Sequence, residues 1–232
     1  MKYQFKFLFV CLLFACNAQA QGIFINENIV EWSNGSVFLV TGDSVQGSIK
    51  YYYKEDVINV LEDDGSISSF SPVNVHYFVA NNVVTGSRQV FRTIYWNQGL
   101  EQSDFKKPSF FEQLNQGDLT LIMRETYTPV SSNGLSSSSI VNYRSTLKDN
   151  AVEGVQSFYY VLMPDGEVKS LRRVRRDLLR LLGDKADDVK KYAKKNDLSY
   201  DNTYELITIV EYYNSLNATK GPETSVSGKL TQ

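Results

Sequence analysis

Val57-Ile58-Asn59-Val60-Leu61-Glu62-Asp63-Asp64-Gly65-Ser66-Ile67-Ser68-Ser69-Phe70 is the stretch on which the fold turns. Two β-prone runs flank Asp64-Gly65, and glycine accepts the positive φ that a tight hairpin turn requires. The stretch therefore reads as strand, turn, strand. Toward the N-terminus, Ser44 to Tyr51 alternates, with Val45, Gly47, Ile49 and Tyr51 on one face. Before it, Val37-Phe38-Leu39-Val40 runs into Thr41-Gly42-Asp43. Toward the C-terminus, Ser71-Pro72 breaks the return strand and Val75 to Ala80 opens the next. Five short strands in this span form a meander. Such a meander curls into a small SH3-like or Sm-like barrel, or joins a larger sheet.

The β texture continues with Gln89 to Trp96. A second hairpin follows, from Phe110 to Asn115, through Gly117-Asp118, to Leu119–Tyr127. Residues 131–139 are nearly all serine, asparagine and glycine and have almost nothing to bury, so the Ser-rich stretch 129–153 reads as a flexible loop. Val155 to Met163 resumes β character, and Pro164-Asp165-Gly166 turns it into Glu167-Val168-Lys169.

The period then changes. Leu171, Val174, Leu178, Leu181 and Leu182 recur at helical spacing. Gly183 suits the end of that helix. Asp184 suits the start of a second, with Asp187 and Asp188 in its first turn and Val189 and Tyr192 as its apolar contacts. Asn202 and Glu205 have the spacing of a capping box for a third helix that carries Leu206, Val210 and Tyr213 along one stripe. The expected fold is α+β: a mostly antiparallel β body, 21–168, then a helical, basic segment, 169–217, and a disordered tail, 218–232.

Residues 1–20 read as a secretion signal. Lys2 and Lys6 precede the apolar run from Phe7 to Ala15, and Ala18-Gln19-Ala20 supplies the small-x-small site at which a signal peptidase cuts. The run is too short to span a bilayer, which takes about 20 apolar residues. Leu13-Phe14-Ala15-Cys16 offers a rival processing site, at which Cys16 would be lipidated and tether the chain. Either way the expected location is the periplasm or cell surface, with no transmembrane span in the mature chain.

Charge is segregated. Residues 169–195 hold 11 Lys and Arg against 4 Asp and Glu, whereas the rest of the chain after residue 20 holds 11 against 22. An acidic body thus carries a basic segment, in which Arg172, Arg173, Arg175, Arg176 and Arg180 fill the positions between the leucines. Such a surface fits an acidic envelope protein or an anionic lipid or polysaccharide; it also fits the solvated face of a helix. Export and the lack of interleaved aromatics argue against nucleic acid.

Composition narrows the chemistry. Both cysteines, Cys11 and Cys16, lie within the signal, and His76 is the one histidine. Disulfides, thiol catalysis and His-rich metal cages are excluded from the mature chain. Walker, dinucleotide-binding, Gly-x-Ser-x-Gly and zinc-protease motifs are absent. Glu62-Asp63-Asp64-Gly65 lacks the alternating ligands of a calcium loop and reads as a turn. No cofactor is expected. Among acidic residues, Glu101, Asp104, Glu112 and Glu125 are available to a carboxylate hydrolase, whose pair is set by distance in space. Aromatics are abundant, with 15 Tyr, 13 Phe and 2 Trp. Tyr51-Tyr52-Tyr53, Tyr159-Tyr160 and Tyr212-Tyr213 place rings on both sides of their elements, one to the core and another exposed.

Trp32, Gly35-Ser36-Val37, Gly42-Asp43, Gly47 and Ile49 make a pattern that resembles a group of uncharacterised secreted proteins of Bacteroidota-type bacteria. Phe70…Val75…Phe78, Phe110-Phe111-Glu112…Gly117, Tyr159-Tyr160…Gly166 and the ending Tyr212-Tyr213-Asn214 are similar too. The resemblance spans most of residues 30–216 and implies export; it carries over no activity and no site residues. The expectation is an exported cell-envelope protein, non-enzymatic, that binds or builds; the alternative is a carbohydrate- or peptide-acting hydrolase with carboxylates in a cleft.

Overall fold

The computed structural model describes residues 29–81, 86–100, 104–129 and 153–218. The signal 1–20 with Cys16, the Ser-rich loop apart from its two end residues, and the tail beyond Ala218 lie outside the described residues. Ten strands form one antiparallel sheet: β1 (Ile29–Leu39), β2 (Ser44–Tyr52), β3 (Val57–Leu61), β4 (Ile67–Phe70), β5 (Val75–Asn81), β6 (Arg88–Trp96), β7 (Lys107–Gln113), β8 (Thr120–Pro129), β9 (Glu153–Leu162) and β10 (Val168–Ser170). Their order is β10-β9-β8-β7-β6-β5-β1-β2-β3-β4.

The quoted hairpin is β3–β4, in register from Ile58–Phe70 to Leu61–Ile67. Gly65 takes φ 85° in its turn, and the Asp64 carboxylate accepts from the Ser66 N–H at 2.9 Å. The link from β4 to β5 forces the sheet to curl. Four intervening strand spacings at about 4.8 Å each would separate β4 from β5 by roughly 19 Å in a flat sheet. The short link Ser71–Asn74 is folded into a turn closed by Asn74 N–H to Ser71 C=O, 3.0 Å, and does not stretch that far. The sheet rolls into a half-barrel around Trp32, Ile49, Tyr51, Ile58, Phe78 and Phe91. Of the two arrangements open to the meander, the larger sheet is the one formed: β1–β5 curl, and β6 continues from β5.

Two glycines permit the curl. A Cβ on Gly47 would collide with the Leu61 carbonyl across the β2–β3 pair, and one on Gly35 would meet the Ile49 side chain and the Val79 carbonyl. Gly35 also sits where β1 changes register after Trp32. Close backbone approach explains both positions.

The helices follow as α1 (Val174–Leu181), a 3-10 turn at Gly183–Lys185, α2 (Ala186–Lys195) and α3 (Thr203–Ala218). They pack on β8 and β9. Leu121, Met123, Tyr159 and Val161 from the sheet meet Val174, Leu178, Val189, Leu206, Ile209 and Val210 from the helices. Gly183 ends α1 with φ 53°, as its position implies. Asp184 does not cap α2; it lies in the 3-10 turn, and Lys185 holds the cap position with no side-chain bond. Asn202 caps α3 by accepting from the Tyr204 and Glu205 N–H groups at 2.9 and 3.3 Å. The Glu205 carboxylate reaches back instead to the Ser199 N–H, 2.6 Å.

Asn214 docks α3 on the β7–β8 turn. Its Oδ1 accepts from the Leu119 N–H at 3.0 Å, and its Nδ2 donates to the Leu119 carbonyl at 2.9 Å. Its amide also fills the space that a Cβ on Gly117 would need. Among the described residues no helix is long and apolar enough to cross a membrane.

Candidate functional site

β7 and β8 pair only at Glu112–Met123 and Gln113–Ile122, with one more bond from Leu114 N–H to Leu121 C=O. β8 meanwhile pairs with β9 along its whole length. The sheet therefore splits between β7 and β8, leaving strand amides without a ladder partner on that side. Asp56, at the end of the β2–β3 turn, fills the split. Its Oδ1 accepts from the Tyr51 hydroxyl at 2.7 Å and from the Phe110 N–H at 3.4 Å. Its Oδ2 meets Arg124 Nη1 at 3.3 Å. Asp56 is buried and holds φ 55°, a left-handed conformation that aspartate tolerates better than most residues. The Arg124 guanidinium lies 5.3 Å from the Phe111 ring and 5.8 Å from Trp96, so aromatic faces complete its surroundings.

A second polar chain runs beside the first. Trp32 Nε1 donates to Gln89 Oε1 at 2.8 Å, and Gln89 Nε2 donates to Glu112 Oε1 at 3.0 Å. The Tyr53 hydroxyl donates to Glu125 Oε2 at 2.6 Å. Burial, helped by the Glu125 charge and opposed by the Gln89 bond, pushes Glu112 up to about 7. Burial and the Glu125 carboxylate drive the Tyr53 hydroxyl far up, so it stays a proton donor. Glu112 and Glu125 thus come together beneath Tyr51, Tyr53 and Phe110, around a hollow of about 10 Å³, the room of roughly one water. Asp104 is exposed elsewhere, and Glu101 lies outside the described residues. His76 stands exposed on β5.

The arginines are distributed rather than gathered. All five are exposed, but their partners differ. The buried carboxylate of Asp177 accepts from the Arg173 N–H at 2.8 Å, from Arg176 Nε at 3.0 Å and from Arg180 Nη2 at 3.2 Å. Burial would raise the Asp177 carboxyl, but these donors outweigh it and hold it below the usual range. Arg176 and Arg180 are therefore partly committed to the first turn of α1. The Arg175 guanidinium lies 5.7 Å from the Tyr200 ring. Arg172 edges a cleft.

That cleft has a volume of about 350 Å³, within the range of small-ligand sites, and lies where the end of β6, β9 and the β10–α1 link meet. Trp96, Phe158 and Tyr160 supply aromatic surface, and Arg172 supplies the cation. Trp96 packs edge-on against Phe111 at 5.2 Å and Tyr160 at 5.3 Å. Its indole N–H is buried and has no acceptor among the described residues. Gln98 and Gly99 form the far lip in left-handed conformations, φ 58° and 78°. A non-glycine residue at positive φ stores strain, which is common beside binding sites.

Sequence reasoning had Arg172 and the Tyr159-Tyr160 pair but missed Trp96, which reads only as the last residue of a strand. Of the aromatic runs, Tyr51 and Tyr53 are both buried, and Tyr52 and Tyr160 are half-buried rather than exposed. Tyr192 and Tyr212 stack at 3.8 Å, which uses one ring of the third run for helix packing. Among the described residues no group of three metal-ligating side chains gathers. Comparison with protein-family models, with curated proteins and with solved structures finds no match.

Proposed function

We propose that this chain is an exported cell-envelope protein that acts by binding, and that the Trp96–Arg172 cleft takes an acidic sugar unit of an envelope polysaccharide. The observation that carries this reading is the joining, in one ligand-sized hollow, of the Trp96, Phe158 and Tyr160 rings with Arg172. A sugar ring offers an apolar face to Trp96 and Tyr160 and a carboxylate to Arg172. The ordered sequence of charge, apolar run and small-residue site in residues 1–20 supports export.

The test is titration with uronic-acid oligosaccharides and neutral ones of equal length, followed by tryptophan fluorescence. Saturable binding of the acidic series is expected. Arg172→Gln should weaken it by about 10-fold or more, the loss of a charge-assisted hydrogen bond. Equal response to both series, or binding untouched by Arg172→Gln, overturns the reading. N-terminal sequencing of the protein from cell envelopes checks export: a start at Gln21 or a lipidated Cys16 agrees with it, and an intact Met1 does not.

The carboxylate-hydrolase reading draws on Glu112 and Glu125. Their hollow admits about one water and no sugar ring, so this reading requires β7 and β8 to part further. Glycan hydrolysis abolished by Glu112→Gln would favour it over the binding reading.

A further inference from the structure

Side chains alternate between the two faces of a strand. Leu121, Met123, Tyr159 and Val161 meet the helices, so the intervening residues of β8 and β9 lie on the opposite face. Strand pairing carries that face across to β7 and β6, where it holds Lys107, Arg88, Arg92 and Trp96. Among the described residues, no strand position of β6–β10 on this face is an aspartate or glutamate. Glu112 and Glu125 belong to the other face, in phase with Phe110 and Met123. One side of this part of the sheet thus carries cations only, on a body whose residues outside 169–195 are predominantly acidic.

The cations form a line that leads out of the Trp96–Arg172 cleft. Arg88, Arg92 and Trp96 follow one another at four-residue steps along β6, about 13 Å each. Lys107 stands directly opposite Trp96 on β7. Arg88, Arg92 and Lys107 are exposed, and among the described residues none of them joins an ion pair. Asp104, in the loop before Lys107, is exposed and not paired with it. Arg124, the remaining cation of the face, is held by Asp56 and adds no free charge.

Rings accompany the free cations. Tyr77 is the cross-strand partner of Arg92 and stacks on Phe38 at 4.3 Å. Trp96 is the partner of Lys107, and Trp96, Phe158 and Tyr160 share the cleft with Arg172. A ring beside a cation therefore recurs at Arg92, Lys107 and Arg172. A uronic-acid unit is apolar on one ring face and anionic at one edge, and a chain of such units repeats both features. A lipid surface also attracts cations, but it does not repeat a ring face beside each charge.

We propose that the cleft is the end of a longer track, on which an extended acidic polysaccharide runs from Arg172 past Lys107 and Arg92 to Arg88. This rests on the acidic-sugar reading of the cleft and extends it from one sugar unit to a polymer. The ligand class is then a polyuronate bound along its length, with Tyr77 and Trp96 as platforms for its rings.

Calorimetric titration of the full chain with dimers and octamers of galacturonic acid is the test, with neutral galactose octamers as control. A dimer fits the cleft alone, whereas an octamer is long enough to continue to Arg88. Arg88→Gln, Arg92→Gln and Lys107→Gln should each weaken octamer binding about 3-fold, as exposed charge contacts do. The triple variant should weaken it about 30-fold and leave dimer binding unchanged. Added salt should likewise cost the octamer more than the dimer. The three side chains are exposed and unpaired, so an unchanged thermal midpoint is expected of every variant. Arg172→Gln should weaken both lengths, which separates the two readings. Dimer binding that needs Arg172, with an octamer that ignores the triple variant, overturns the track and leaves the cleft reading standing. Binding of neither length overturns both. Binding to phosphatidylglycerol vesicles in place of either oligomer, lost in the triple variant, overturns the track in favour of an anionic membrane.

Discussion

Replacing Glu112 with glutamine should stabilise the protein in a way that depends on pH. Glu112 is half-buried, hydrogen-bonded to Gln89 and near Glu125, and its folded pKa is about 7 against an ordinary 4.5. The folded chain therefore holds this proton more tightly than the unfolded chain does. Unfolding releases it between about pH 4.5 and 7, so the Glu112 contribution to stability falls as pH rises through that window and is flat on either side. The difference of about 2.5 units, at 1.36 kcal/mol per unit, gives roughly 3 kcal/mol of destabilisation fully developed above pH 7. Glutamine is neutral, and its oxygen can still accept from Gln89 Nε2. Glu112→Gln should then match the parent at pH 4.5 and exceed it by up to about 3 kcal/mol at pH 8. Against a typical net stability of about 5–15 kcal/mol that is a large gain. Urea unfolding of both proteins across this range is the assay. A difference that does not change with pH would refute a Glu112 that titrates near neutrality, whatever its size.

Two further perturbations probe the split in the sheet and the helix dock. Asp56→Asn keeps a side chain that tolerates positive φ but leaves the Arg124 charge unpaired, and should cost about 3–5 kcal/mol in urea unfolding. The Asp56→Asn, Arg124→Met pair should recover much of that loss; a double variant no better than the single one would refute the ion pair as the cause. Asn214→Ala removes both bonds to Leu119 and should cost about 1–3 kcal/mol, with faster hydrogen exchange at the Leu119 amide as the local sign.

Much of the β body was legible because its signals are short-range. Asp64-Gly65 sets a turn through glycine's backbone freedom, and the alternation in Ser44–Tyr51 reports one buried face. The leucine period from Leu171 to Leu182 likewise announces a helix. Asp56 is the counterexample. It looks like one more acid in a turn, and its partners Phe110 and Arg124 lie 54 and 68 residues away. Nothing local pairs them, since the split that needs a carboxylate arises only once β8 follows β9. The arginines were legible as a charge run, but their separation depends on the burial of Asp177 and the position of Tyr200. Asn202 was readable as a cap, whereas Glu205 left the box for Ser199 because the preceding loop brings that amide within reach.

By itself, then, the sequence determined the strands, turns and helices, the antiparallel habit of the body and the basic character of the helical end. These follow from side-chain period and turn stereochemistry, which act over a few residues. Only the tertiary structure decided that β1 lies between β2 and β5, that Glu112 and Glu125 share a small hollow, and that Trp96 meets Arg172 across a cleft. Those meetings depend on how far the sheet curls, and curl is the summed outcome of burial and close backbone approach along the whole chain.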